Sequence, residues 1–293
     1  MGTNAIRLAL GTVQFGLSYG VSNQRGQVDR VSAASIVNAA RRAGMDTLDT
    51  AIAYGDSESV LGEIGVSQLQ VITKLPPLPE GEGDVDAWVR RLVAESLARL
   101  RLTSLHALLL HRSSDLASAR GPALYASLLG LRQRGEISRF GISIYEPAEL
   151  DALPSDFKMD IVQAPFNVFD RRLETSGWLN RLAAAGVEVH VRSVFLQGLL
   201  LMQRAALPPY FEPWRRLWND WHAWLTGYPG SALQVCLGFV LARAQVARVI
   251  VGVESSQQLH DIIDATQTVI MEPPAAFSTA DAGLVNPSLW KLA

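Results

Sequence analysis

MDTLDTAIAYGDSESVLGEIG, residues 45–65, packs a short strand, a loop and the start of a helix into one run. MDTLDT (45–50) reads as the strand and DSESVLGEIG (56–65) as the opening of the helix. The strand closes on a carboxylate, Asp49, and the loop beyond it offers a phenol, Tyr54. Asp is common where strands stop, because its side chain bonds nearby backbone. Whether these two residues also do chemistry depends on what the rest of the chain brings to the same level.

Working outward, the same unit recurs. Strands are predicted at LALGT (8–12), QVITK (70–74), LHALLLH (105–111), RFGIS (139–143), DIVQAPF (160–166), VEVHVRS (187–193) and ARVIVG (247–252), in addition to 45–50. Helical stretches separate them, among them 31–44, 85–101 and 174–186. In the second, Val85, Trp88, Val89, Leu92 and Val93 recur at helical spacing and define one buried face. Gly44, Gly135 and Gly186 each sit where a C-terminal cap glycine closes a helix before a strand. Eight strand–helix units in 293 residues predict a single α/β domain over 1–293, a (β/α)8 TIM barrel. A doubly wound open sheet is the rival pattern. One long irregular segment, about Phe195 to Ser231, interrupts the seventh and eighth units. It carries Phe211, Trp214, Trp218, Trp221 and Leu225 at three/four spacing, one apolar face of a short helix that either caps the barrel or walls a substrate pocket.

Composition narrows the function classes. With 26 basic and 28 acidic residues the chain has no field to draw nucleic acid or an acidic membrane surface. A single cysteine, Cys236, leaves no internal disulfide framework and fits a reducing compartment. The start lacks a basic run followed by an apolar core, and no stretch reaches the length of a spanning helix, so a cytoplasmic location is expected.

In a barrel, side chains at the C-terminal strand ends converge on one mouth. The second strand ends in Asp49, the third in Lys74 and the fourth in His111, with Tyr54 on the loop above the second. Each alone has an ordinary structural explanation; together they are the set that a carbonyl reduction needs. Hydride arriving at carbon leaves an alkoxide that must be protonated as it forms. An unperturbed phenol, with a pKa of about 10, exchanges protons poorly near neutrality. An ammonium at Lys74 is expected to lower that value, with Asp49 holding the amine charged and neutral His111 aiming the substrate oxygen at Tyr54.

These residues, in the contexts LDTAIAYG, ITK and LLLH, resemble the catalytic tetrad of the aldo-keto reductase superfamily. The likeness extends through LGTVQFG (10–16), FGIS (140–143), IVQAPFNVFDRR (161–172) and VIVGVESSQQL (249–259). The resemblance implies NADP(H) or NAD(H) bound at the barrel mouth without metal or flavin, and Tyr54 as general acid in reduction and general base in oxidation. It further implies that Ser143 and Gln163 anchor the nicotinamide amide, although Ile144 stands where an asparagine is common. Arg192, followed by Ser193, replaces an aromatic residue that stacks on the nicotinamide; a guanidinium plane can stack as well. Phe195 to Leu200 match the loop over the pyrophosphate, with Gly198 allowing close approach. After Gly252, Ser255 or Ser256 can cap a helix whose N-terminus suits phosphate, and Gln258 and Ile262 hold positions where polar contacts are common. Glu254 stands near where relatives meet the 2′-phosphate of NADP(H) with a cation, which leaves NADP(H) and NAD(H) both open. Phe15, Tyr19, Trp214 and Trp218 are the expected substrate contacts, and the C-terminal NPSLW (286–290) either folds over the mouth or packs outside.

The expected function is an NAD(P)-dependent oxidoreductase acting on a small carbonyl or alcohol, sugar-derived substrates included. Two other classes compete. A Schiff-base aldolase would use Lys74 as nucleophile but leaves Asp49, Tyr54 and His111 without a task. Some barrels of the superfamily act as nucleotide-sensing regulatory subunits with little turnover.

Overall fold

A computed structural model describes residues 7–268 and 270–292 of the chain. Eight parallel strands close into a barrel in sequence order: β1 (Leu8–Gly11), β2 (Thr47–Asp49), β3 (Gln70–Leu75), β4 (Leu105–Leu110), β5 (Ile137–Ser143), β6 (Ile161–Pro165), β7 (Glu188–Arg192) and β8 (Val246–Gly252). β1 pairs with both β2 and β8, which removes every sheet edge and rules out the open-sheet alternative. Helices α1 (Arg30–Arg42), α2 (Ser57–Ile64), α3 (Val85–Leu100), α4 (Gly121–Gln133) and the single turn α5 (Ala148–Asp151) follow the first five strands. Helices α6 (Arg172–Thr175), α7 (Trp178–Ala184), α8 (Arg215–Thr226), α9 (Ala232–Leu241), α10 (Ser256–Ala265) and α11 (Ala282–Val285) complete the chain.

Local chemistry sets the boundaries. The Asp29 carboxylate accepts from the Val31 and Ser32 amides at the start of α1, and Ser231 with Gln234 forms a reciprocal capping box on α9. Gly44, Gly135 and Gly186 adopt left-handed φ values of 79°, 74° and 72°, as cap glycines do. The helix expected over 174–186 is instead two short pieces, α6 and α7, broken at Gly177.

The large core lies between strands and helices, while Ile72, Ala107, Leu109 and Ile161 form a separate cluster. Because strand side chains alternate, Ile72 shares a face of β3 with Lys74, and Ile161 shares a face of β6 with Gln163. Apolar layers therefore sit below the polar residues at the strand ends. The insertion between β7 and α9 is a series of 3-10 turns leading into α8. Among the described residues, no helix is long and apolar enough to cross a membrane.

Candidate active site

The C-terminal strand ends surround a cavity of about 560 Å³, within the range of small-molecule sites. Asp49, Tyr54, His111, Ser143, Gln163, Arg192, Ser193, Phe195, Gly198, Gly252, Glu254 and Gln258 line it, together with Tyr19. Register explains the convergence: Gly11 pairs with both Asp49 and Gly252, and Ser143 pairs with Gln163, so residues distant in sequence end at one height.

The floor of the site is a buried ion pair. Lys74 Nζ lies 2.7 Å from Asp49 Oδ2 and donates at 2.7 Å to the Thr50 carbonyl, with no exposed surface. The second carboxylate oxygen of Asp49 accepts from Gln163 Nε2 at 2.7 Å, and Ser143 Oγ donates to Gln163 Oε1 at 3.2 Å. Burial pushes the Lys74 ammonium below its ordinary pKa, and the Asp49 charge opposes that shift. Lys74 itself does not line the cavity.

Tyr54 is held by its loop. Its amide donates to Ala51, and a Cβ on Gly16 would lie 1.8 Å from the Tyr54 carbonyl, so only glycine fits there. The Lys74 amine sits 5.1 Å from the centre of the Tyr54 ring, and His111 meets that ring edge-on at 5.9 Å. The shift on the phenol runs opposite to the sequence expectation. Burial, then the Asp49 charge, push the Tyr54 pKa well above its ordinary value; Arg192 pulls the other way. The reason is geometric, since the Lys74 charge is matched by Asp49 at contact distance. Burial likewise drives His111 down to about 4, reinforced by Lys74 and Arg192, so its ring is neutral near pH 7.

Arg192 gives one N–H to the Ile144 carbonyl at 2.8 Å and one to Ser193 Oγ at 3.3 Å, and its guanidinium lies 4.7 Å from the Tyr145 ring centre. The arginine thus stacks on a tyrosine of its own chain. Beyond it, Ser193, Leu196 and Gln197 have left-handed φ values of 58°, 48° and 53°. This segment forms a strap against the loop after β1. The Gln197 carbonyl accepts from Val21 at 3.1 Å, and Gln197 Nε2 donates to Tyr19 Oη at 3.0 Å. Gly198 has φ 91°, and a Cβ there would stand 1.9 Å from Ser22 Oγ.

At the other end of the cleft, Ser255 Oγ caps α10 by accepting from the Gln258 amide, and Gln258 Oε1 accepts from the Glu254 amide at 2.7 Å. Glu254 and Asp261 both line this end, and burial raises the Glu254 pKa. Gln14 adds an acceptor: its Oε1 is buried without a partner, and a Cβ on Gly252 would strike its amide at 2.6 Å.

Three of the four expected aromatic contacts lie elsewhere. Phe15 and Trp218 are fully buried, Trp218 packing 4.9 Å from Phe169, and Trp214 Nε1 donates to Asp281 Oδ2 at 2.9 Å. None of the three lines the cavity, and neither does Ser255. In their stead stand Gln14, Tyr145 and Asp261, which were not singled out from the sequence, and Pro287 and Ser288 of the NPSLW tail. Tyr145 was the most legible of these, two residues past the end of β5. The NPSLW tail does both things foreseen for it: Pro287 and Ser288 face the cavity, while Trp290 packs 5.0 Å from Phe211.

A closed barrel with an ion pair, a phenol and an imidazole converging on a cleft at its C-terminal mouth defines a class of barrel enzymes whose chemistry sits at the strand ends. A sequence profile of the aldo/keto reductase family matches residues 7–273, and the chain belongs to that family. Membership makes the protein an oxidoreductase. Among solved structures it is similar to the aldo-keto reductase AKR11C1 from Bacillus halodurans in its holo form, at 22% identity and a TM-score of 0.74, covering 98% of this chain and 93% of that one. It is also similar to the glycerol dehydrogenase AKR11B4 from Gluconobacter oxydans, at 21% identity and a TM-score of 0.68, covering 90% and 88%. No curated protein matches the sequence.

Proposed function

We propose that the protein interconverts a small carbonyl compound and its alcohol with a nicotinamide dinucleotide, in the cytoplasm, Tyr54 delivering and removing the proton. The observation that carries this reading is the meeting of Tyr54, His111 and the Asp49–Lys74 pair at one end of a cleft that continues to α10.

The residues present fit a dinucleotide. The Ser143–Gln163 pair offers an amide-sized polar contact, and Gln14 Oε1 is buried at the cleft without a partner, open to a donor. When bound, the reduced nicotinamide supplies the hydride. Neutral His111 donates a hydrogen bond to the substrate oxygen and holds it against Tyr54. Burial makes the Tyr54 phenol a weaker acid than in water, but it stays protonated through neutrality and the developing alkoxide is a stronger base, which takes the proton as it forms. Balance is then complete: carbon gains a hydride, oxygen gains the phenolic proton, and Tyr54 recovers its own from solvent. Lys74 and Asp49 act from beneath, the Asp49 carboxylate fixing Gln163. Burial and pairing of Lys74 also argue against a Schiff-base reading, since the amine does not line the cavity.

Glu254 and Asp261 favour NAD(H) over NADP(H), because two carboxylates repel a 2′-phosphate and accept hydrogen bonds from ribose hydroxyls. Fluorescence titration tests both parts. NADH is expected to bind more tightly than NADPH, and Glu254→Lys to reverse or erase the preference. Binding of neither nucleotide removes the proposed function.

A further inference from the structure

Charged side chains line the cleft unevenly. Asp49 is matched by Lys74 at 2.7 Å, and Glu254 and Asp261 stand together at the α10 end. Arg192, half-buried at the opposite end, makes no ion pair among the described residues. Its acceptors are the Ile144 carbonyl at 2.8 Å and Ser193 Oγ at 3.3 Å, both uncharged. Other half-buried arginines are neutralised by a carboxylate: Arg172 by Asp170 at 2.8 Å, Arg243 by Glu272 at 2.7 Å and Arg99 by Glu58 at 2.7 Å. A guanidinium is charged at every working pH, so this corner of the cleft holds an unmatched cation.

Backbone register fixes where that cation stands. Arg192 pairs with Pro165, which follows Gln163 by two residues on the same face of β6. Gln163 pairs in turn with Ser143, and the carbonyl that Arg192 holds belongs to the next residue, Ile144. The guanidinium therefore flanks the Ser143–Gln163 pair, one step nearer the mouth, with its plane held by the Tyr145 ring at 4.7 Å. Those two polar residues are the ones read above as the nicotinamide amide contact. The two redox states of a nicotinamide ring differ by one charge, the oxidised pyridinium being cationic and the reduced ring neutral. A fixed cation opposes the first and leaves the second almost untouched. An aromatic residue in the place of Arg192 would do the reverse, since its π face attracts a cationic ring.

We propose that Arg192 sets the redox poise of the bound dinucleotide, disfavouring the oxidised form against the reduced one, so that the protein loads reduced cofactor, sheds the oxidised product and is built to reduce carbonyls. The overall equilibrium of the reaction is untouched. What changes is which nucleotide holds the site and which leaves it readily: in alcohol oxidation the reduced product stays bound, and in carbonyl reduction the oxidised product departs. This inference rests on the nicotinamide-dependent reading above and adds the favoured direction to it.

The test needs no turnover. Dissociation constants of the reduced and the oxidised nucleotide are measured by calorimetry in wild type, Arg192→Gln, Arg192→Met and Arg192→Lys. The pair used is NADH with NAD+ or NADPH with NADP+, whichever reduced form the wild type binds more tightly. Both members of a pair share the pyrophosphate and the riboses, so the ratio Kd(oxidised)/Kd(reduced) isolates the ring. In the two neutral variants that ratio is expected to fall by about tenfold to a hundredfold, chiefly through tighter binding of the oxidised form, as for a nearby charge partly screened by water. Each tenfold lowers the potential of the bound two-electron couple by about 30 mV. Arg192→Lys should keep a ratio near that of the wild type. Neutral variants that weaken both forms equally and leave the ratio unchanged overturn the assignment while the oxidoreductase reading stands. A ratio that falls as far in Arg192→Lys as in Arg192→Gln assigns the effect to shape and overturns it too. A wild type that binds no nicotinamide nucleotide overturns both this inference and the reading beneath it.

Discussion

One face of β7 carries Glu188, His190 and Arg192 from the bottom of the barrel to the top, and the two ends treat their charges in opposite ways. At the bottom, Glu188 pairs with Arg139 and lies 3.2 Å from His190 Nε2, while Arg248 meets Asp46 at 3.4 Å. The hydrogen bond from His190, then Arg139, holds the Glu188 carboxyl down to about 2. At the top, Asp49 and Lys74 are sealed into a pair, but Arg192, Tyr54 and His111 face a cavity. Charged residues at strand ends therefore do not by themselves mark a site. At the top, unlike the bottom, unmatched polar side chains meet a cavity, and that is where the proposed site lies.

The difference can be broken or sharpened by substitution. Lys74→Met leaves Asp49 buried without its cation, and about 3–5 kcal/mol of stability should be lost in urea denaturation. The double change Asp49→Leu with Lys74→Met should recover much of that loss. A smaller, pH-dependent effect belongs to His111. Its folded pKa of about 4 lies below the ordinary value of 6.5, so the unfolded chain takes up the proton first as pH falls. Stability from this group is whole above about pH 6.5 and declines as pH drops toward 4. Wild type should lose stability relative to His111→Gln across that window; parallel curves would contradict the buried, neutral ring. Smallest is Glu188→Gln at the bottom, where a half-exposed pair should cost no more than about 1 kcal/mol and leave turnover untouched. A loss as large as that of Lys74→Met would erase the contrast between the two ends.

The barrel was legible because its signals are local: short β-rich runs, helical periods, and cap glycines at 44, 135 and 186. Asp49, Lys74 and His111 were legible for a topological reason, since parallel strands deliver their C-terminal ends to one mouth. Periodicity fails where the partner matters. The apolar face of α8 was plain, but not that Trp218 and Trp221 turn to Phe169, 4.9 Å and 5.9 Å away, instead of to substrate. The sense of the Tyr54 shift was equally hidden, because it depends on how deeply the phenol is buried and on which partner satisfies Lys74. For the NPSLW tail the sequence left two placements open, and Pro287 and Ser288 take the one at the cleft.

The central claim is that the phenol of Tyr54 supplies the proton while hydride reaches the carbonyl carbon. Rapid mixing of NADH-loaded wild type and Tyr54→Phe with an aldehyde, followed at the cofactor's absorbance, tests it in a single turnover. The account predicts near-equal NADH affinity and hydride transfer slowed about 10²–10⁴-fold in the variant. Equal rates in the two proteins would contradict it.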